Sequence, residues 1–150
     1  MFHIKAPNYA AWKYSPERIQ KLTKFLLSKQ GWLKKQGIEG VVVSGTSGLV
    51  IAAALAVNPH WKLPYIYVRK PNDISNSHGY CVEGALGVKN VVFIDDLIAS
   101  GDTLRHTKES LKEHHVTIKL CVLYGDLWYA KEPRLTPVMS QQGVPVFNIE

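Results

Sequence analysis

The sequence predicts an α/β fold, a doubly wound and mostly parallel sheet, from three observations. Short apolar or β-branched runs recur at 41–43, 65–68, 91–94 and within "VTIKLCVLY". Segments with helical period stand between them. Two of the runs lead through small-residue loops into helices, the order that right-handed βαβ crossovers require. A chain of 150 residues can bury one continuous core, so a single domain is expected over residues 1–150.

Ser15 is placed to cap a first helix, with Pro16 in the first turn where its missing N–H costs nothing. Ile19, Leu22 and Leu26 share a face with Phe25 beside them, and Gly31 is the expected end. Val41 to Val43 reads as a buried strand, Ser44 to Gly48 as a loop, and Leu49 to Val57 as an Ala-rich helix. "YIYV" gives a second strand. Arg69 to Tyr80 is polar and without apolar period, and a loop of that length inside a compact domain is usually functional or mobile. Val91 to Ile94 is the third buried strand, Thr103 to His114 the helix after it, "VTIKLCVLY" a fourth strand and "VPVFNI" a fifth. "GDLWYAKEPRLTPVMSQQG", between the last two, is rich in turn formers and aromatics.

The net charge of +6 is uneven: eight Lys and Arg face only Glu17 and Glu39 within the first forty residues. Such a face can be a solvated helix surface or can attract a polyanion, whether nucleic acid or a small pyrophosphate ester. No apolar stretch suits a membrane span and the start lacks a secretory block, so the cytoplasm is expected and no membrane partner. Cys81 and Cys121 lack metal-ligand neighbours and read as free thiols. His106, His114 and His115 include no i, i+4 ligand pair, so they predict a solvent-facing helix and no zinc site.

The chemistry concentrates in "VVFIDDLIASGDT". A loop over Ala99, Ser100, Gly101, Asp102 and Thr103 that leads into a helix offers backbone N–H groups and the positive end of the helix dipole to an anion, phosphate above all. Asp95 and Asp96 would repel that phosphate. They suit sugar hydroxyls or a divalent cation next to it. The pattern suggests a phosphorylated sugar laid across one strand end.

In its order of hydrophobic strand, two acids, two apolar residues, small residue, Ser, Gly, any residue and Thr, the segment resembles the phosphoribosyl pyrophosphate signature of type I phosphoribosyltransferases. The resemblance covers roughly residues 38–125. It implies that family's fold, with a small hood from 1–37 and 126–150, and transfer of a 5-phosphoribosyl group to a nucleobase with release of pyrophosphate. Asp95 and Asp96 would hold the ribose hydroxyls, directly or through Mg²⁺, and Ala99 to Thr103 the 5-phosphate. "SGTSGLV" resembles the pyrophosphate loop and assigns Ser44, Gly45, Thr46, Ser47 and Gly48 to it. "VRK", then "SHG" and "VEGAL", resembles the mobile catalytic loop of orotate enzymes, so Arg69, Lys70 and His78 become candidate catalysts. Cations there would meet charge gathering on the departing pyrophosphate.

Two departures matter. "PNDISNS" has no lysine where orotate enzymes carry one, and Ala99 stands where the hypoxanthine-guanine branch has a third carboxylate. In the hood segment Trp128 or Tyr129 could stack on a flat ring, or else pack in the core or a dimer interface, and Lys131 could meet an exocyclic oxygen; a lysine closely followed by proline after the fourth strand is similar to xanthine and guanine enzymes. Orotate or a 6-oxopurine is the base implied. The resemblance also implies a homodimer, and nucleic acid is not expected as a partner. The alternative is a non-catalytic regulator that keeps the phosphoribosyl site and offers its basic face to nucleic acid or protein.

Overall fold

In the computed structural model the described residues are 15–74, 80–85 and 87–150. Their elements are α1 (Pro16–Lys35), β1 (Gly40–Ser44), α2 (Gly45–Ala56), β2 (Tyr65–Val68), α3 (Pro71–Ile74), β3 (Val82–Gly84), β4 (Asn90–Asp95), α4 (Asp102–Lys112), β5 (Thr117–Leu123), a 3₁₀ turn (Gly125–Tyr129), β6 (Leu135–Gln141) and β7 (Val144–Ile149).

The strands form one sheet in the order β3-β2-β1-β4-β5-β7-β6. Its five central members run parallel, and β3 and β6 are antiparallel at the two edges. This is the α/β, mostly parallel architecture expected. From β1 the chain winds outward to β2 and β3, then returns to lay β4 on the other side of β1. That reversal leaves a crevice at the carboxyl ends of β1 and β4, where ligands bind in open α/β sheets. Ser44 and Asp95 end those two strands.

Burial on both faces explains why the central strands read as unbroken apolar runs. Val41, Val43, Val92 and Ile94 pack under α1 and α2 through Leu22, Leu26, Ile51 and Leu55. Val42, Val91 and Phe93 face the other way, onto Leu104 and Leu111 of α4.

Several elements differ from expectation. Helix α1 begins as predicted, with the Ser15 side chain accepting from the Arg18 N–H, but it runs through Gly31 to Lys35. The stop is Gly37, at φ +77°. There the Gly37 and Ile38 N–H groups donate back to the Lys34 and Leu33 carbonyls, and buried Ile38 follows the buried Leu33 turn, a left-handed helix stop sealed by an apolar contact. Helix α2 starts at Gly45 instead of Leu49, so most of the expected 44–48 loop is helical. Gly45 at φ +69° makes the turn by itself, and Gly48 lets the helix lie on β1: a Cβ there would sit 2.6 Å from the Val43 Cβ. A short helix, α3, lies within the stretch read as a loop. Strand β6 was not foreseen; its Pro137 is tolerable because the strand is at the edge.

Candidate functional site

Asp95 ends β4 with only 7% of its surface exposed. Its Oδ1 accepts the Asp96 N–H at 2.9 Å, and Asp96 Oδ1 accepts the Leu97 N–H at 3.0 Å, so the paired carboxylates also hold the turn that leaves the strand. Burial, and then the neighbouring Asp96 carboxylate, push the Asp95 acid up to about 7, while the Lys70 charge draws it the other way. Asp95 thus exchanges its proton near neutrality. The Cys121 thiol below it is pushed up to about 12 by burial and by the Asp95 charge, which leaves it inert as a nucleophile.

The loop after Asp96 turns into α4 at Gly101, whose φ of +85° suits glycine. No side chain caps the helix there. The Asp102 N–H donates to Ser100 Oγ at 3.2 Å, and the amides that follow it form the helix end that an anion would meet. Ser100 Oγ donates to Asp102 Oδ2 at 2.7 Å and Arg105 donates to Asp102 Oδ1 at 2.7 Å, and these two contacts, in that order, hold the Asp102 carboxyl below its usual range. From the far end of the chain, Gln142 Nε2 donates to the Gly101 carbonyl at 2.8 Å, and the Gln142 carbonyl accepts from Lys108 at 2.8 Å. Gln142 was not anticipated, because its position beside the loop depends on β6 and β7 forming a hairpin.

One cavity of about 240 Å³ gathers Ser47, Lys70, Asp95, Asp96 and the loop 97–103. The two acids, the loop 97–103 and the Lys70 cation therefore share a space. Lys70 reaches it across Gly45, where a Cβ would lie 2.8 Å from the Lys70 Cε. Any side chain at position 45 would displace the lysine. Ser47 is held through its carbonyl, which accepts from the Tyr124 hydroxyl at 3.2 Å. Ser44 is buried, its hydroxyl without a hydrogen-bond partner among the described residues, and Thr46 is exposed on the first turn of α2.

Other expected site residues lie elsewhere. Arg69 turns away from Lys70 and pairs with Glu83 at 2.8 Å, its guanidinium 5.6 Å from the Tyr67 ring centre. Trp128 packs edge-on against Tyr124 at 6.0 Å and lies under Arg18 at 4.9 Å. Lys131 lines a separate cavity with Glu132, Arg134 and Glu150. His78 falls outside the described residues. His106, expected on a solvent-facing surface, is partly buried: its Nε2 lies 2.8 Å from the Arg69 carbonyl, with Cys81 Sγ at 3.8 Å. The helix face it occupies packs against the chain just beyond β2.

Among the described residues no group of three or more His, Cys, Asp or Glu side chains is placed to hold a metal, and no helix is long and apolar enough to cross a membrane. Asp95 and Asp96 could supply two hard oxygen donors only in company with oxygens of a ligand.

The family model for the phosphoribosyl transferase domain matches residues 45–150. Among curated proteins, a transcriptional regulator GfcR from Methanosphaerula palustris is 25% identical over 126 residues, 81% of this chain and 56% of the relative. An orotate phosphoribosyltransferase from Photorhabdus laumondii is 27% identical over 114 residues, 74% of this chain and 51% of the relative. The chain thus spans about half the length of the curated relatives it matches. Among solved structures, the orotate phosphoribosyltransferase of Aeropyrum pernix superposes with a TM-score of 0.52 at 19% identity, covering 89% of this chain and 75% of that one. The adenine phosphoribosyl transferase of Trypanosoma brucei gives 0.56 at 18% identity, covering 88% and 63%. These likenesses are of fold.

Proposed function

Because the chain belongs to the phosphoribosyl transferase family, we propose that it moves the 5-phosphoribosyl group from phosphoribosyl pyrophosphate to a nitrogen of a nucleobase, orotate or a 6-oxopurine, and releases pyrophosphate. The observation that carries this reading is the shared cavity in which Asp95 and Asp96 face the loop 97–103 and Lys70. The loop amides and the hydroxyls of Ser100 and Thr103 bind the 5-phosphate, and the carboxylates accept from the ribose hydroxyls. That fixes C1 against the incoming base, so much of the rate comes from positioning. Ser44, Gly45, Thr46 and Ser47 face the pyrophosphate, and the orphaned Ser44 hydroxyl gains its partner there. Lys70 stabilises the charge that the leaving group gathers. Arg69 and His78 belong to the same lid, and Trp128 and Lys131 to the hood that covers the base, built from residues outside 38–125.

Mg²⁺ is expected with the substrate, held chiefly by sugar and pyrophosphate oxygens with Asp95 and Asp96 beside it, and it would neutralise part of the pyrophosphate charge. A homodimer in the cytoplasm goes with this reading. The test is pyrophosphate release from phosphoribosyl pyrophosphate and Mg²⁺ with each common base in turn. Turnover on one base is the expected result.

A second reading is a regulator that binds phosphoribosyl pyrophosphate or a nucleotide without turnover. Two observations favour it: Arg69 is engaged by Glu83 and not by the cavity, and one curated relative is a transcriptional regulator. Tight binding with no pyrophosphate release on any base would select it.

A further inference from the structure

A second cavity, of about 390 Å³, opens beside the first. Asp96, Leu97 and Ile98 line both, so a ligand seated in one reaches the other along the same rim. The far wall comes from Leu123, Gly125, Asp126 and Asn148. Strand register explains the assembly: Asp95 pairs with Leu123, and Leu123 with Asn148, so three adjacent strands end at one level. The Gly125 N–H donates to the Asp96 carbonyl at 2.8 Å, and a Cβ at 125 would come within 2.7 Å of that oxygen. Glycine therefore lets the turn that carries Asp126 close against the ribose end. Neither Asp126 nor Asn148 has a side-chain hydrogen bond or ion pair among the described residues. The cavity wall thus carries two polar side chains beside the apolar Leu97, Ile98 and Leu123.

We propose that this cavity receives the nucleobase and that Asp126 and Asn148 make the site select an uncharged ring with an exocyclic amino group over anionic orotate. The inference rests on the phosphoribosyl transfer reading above. An ionised carboxylate only accepts hydrogen bonds, whereas a side-chain amide both donates and accepts. Adenine, guanine and cytosine each place an amino donor close to a ring nitrogen or carbonyl acceptor, the complement of that pair. Orotate would bring a second carboxylate into a cavity walled by Asp126, where like charges repel. Leu97, Ile98 and Leu123 offer the apolar contact that any flat ring can use, so the polar pair makes the distinction.

The experiment is calorimetric titration of the full chain with AMP, GMP, CMP, UMP and orotidine 5′-monophosphate, alongside ribose 5-phosphate. At least one amino-bearing nucleotide should bind about tenfold or more tighter than orotidine 5′-monophosphate. Asp126→Asn should remove most of that preference and Asp126→Lys should turn it toward orotidine 5′-monophosphate, with ribose 5-phosphate affinity unchanged as the sign of an intact fold. Tightest binding of orotidine 5′-monophosphate by the wild type, or a preference that survives Asp126→Asn, overturns the proposal. Failure to release pyrophosphate with any base, beside a preserved nucleotide preference, would sink the transferase reading alone. Release with orotate only would do the reverse.

Discussion

Replacing Asp95 with Asn should stabilise the ligand-free protein above neutral pH while weakening its hold on ribose. The Asp95 acid sits at about 7 in the folded chain against an ordinary 3.8, chiefly because it is buried. In the unfolded chain the same group ionises near the ordinary value, so between the two the folded state carries the extra proton. Stability is therefore fullest at the acid side of that window and falls as pH rises through about 7. At about 1.36 kcal/mol per pH unit, the interval from 3.8 to about 7 is worth about 4 kcal/mol. Asn stays neutral throughout, and its Oδ1 can still accept the Asp96 amide. Urea unfolding of both proteins from about pH 5 to about pH 8 reads the effect, because groups remote from position 95 contribute equally to the two and cancel in the difference. The variant should gain on the wild type as pH rises and bind ribose 5-phosphate more weakly at the alkaline end. A stability difference that stays constant across that range would refute the reasoning.

Three further outcomes follow from the geometry. Lys70→Ala should lower kcat about 10²-fold, as removal of a charge-stabilising donor commonly does, whereas Arg69→Ala should cost less because Glu83 already engages it; steady-state kinetics in which Arg69→Ala is the more damaging would reverse the assignment. Gln142→Ala should weaken ribose 5-phosphate binding about fivefold, the worth of one hydrogen bond of about 1 kcal/mol, and calorimetry showing unchanged affinity would remove its bracing role. Gly125→Ala places a methyl against the Asp96 carbonyl and should destabilise the fold by about 1–3 kcal/mol, the usual cost of overpacking, visible as a lowered urea midpoint.

What could be read from the sequence was whatever a short window encodes. Val41 to Val43 and Val91 to Ile94 announce buried strands by composition, and "IDDLIASGDT" carries both its acids and its loop in one uninterrupted stretch. Asp95, Asp96 and the loop accordingly meet in one cavity with Lys70. Positions decided by other parts of the chain were not legible. Gly31 has the composition of a helix stop, but the stop went to Gly37, where the Ile38 contact with the helix end favours it. The lid pair "RK" was read as one unit, yet Glu83 on the adjacent strand draws Arg69 off. Strand β6 has an exposed face and a proline, so its own residues say little, and its place depends on pairing with β7. With β6 unseen, Gln142 could not be connected to Gly101.

The bond from Gln142 to the Gly101 carbonyl means that the segment from Asp95 to Thr103 is not a self-sufficient cassette. Its sequence can be moved whole from one chain to another and still arrive without the hand that steadies it. Variation around the 142–143 turn, far from any recognisable motif, is therefore a route by which members of one family could retune their grip on a common sugar phosphate while the signature itself stays letter-perfect.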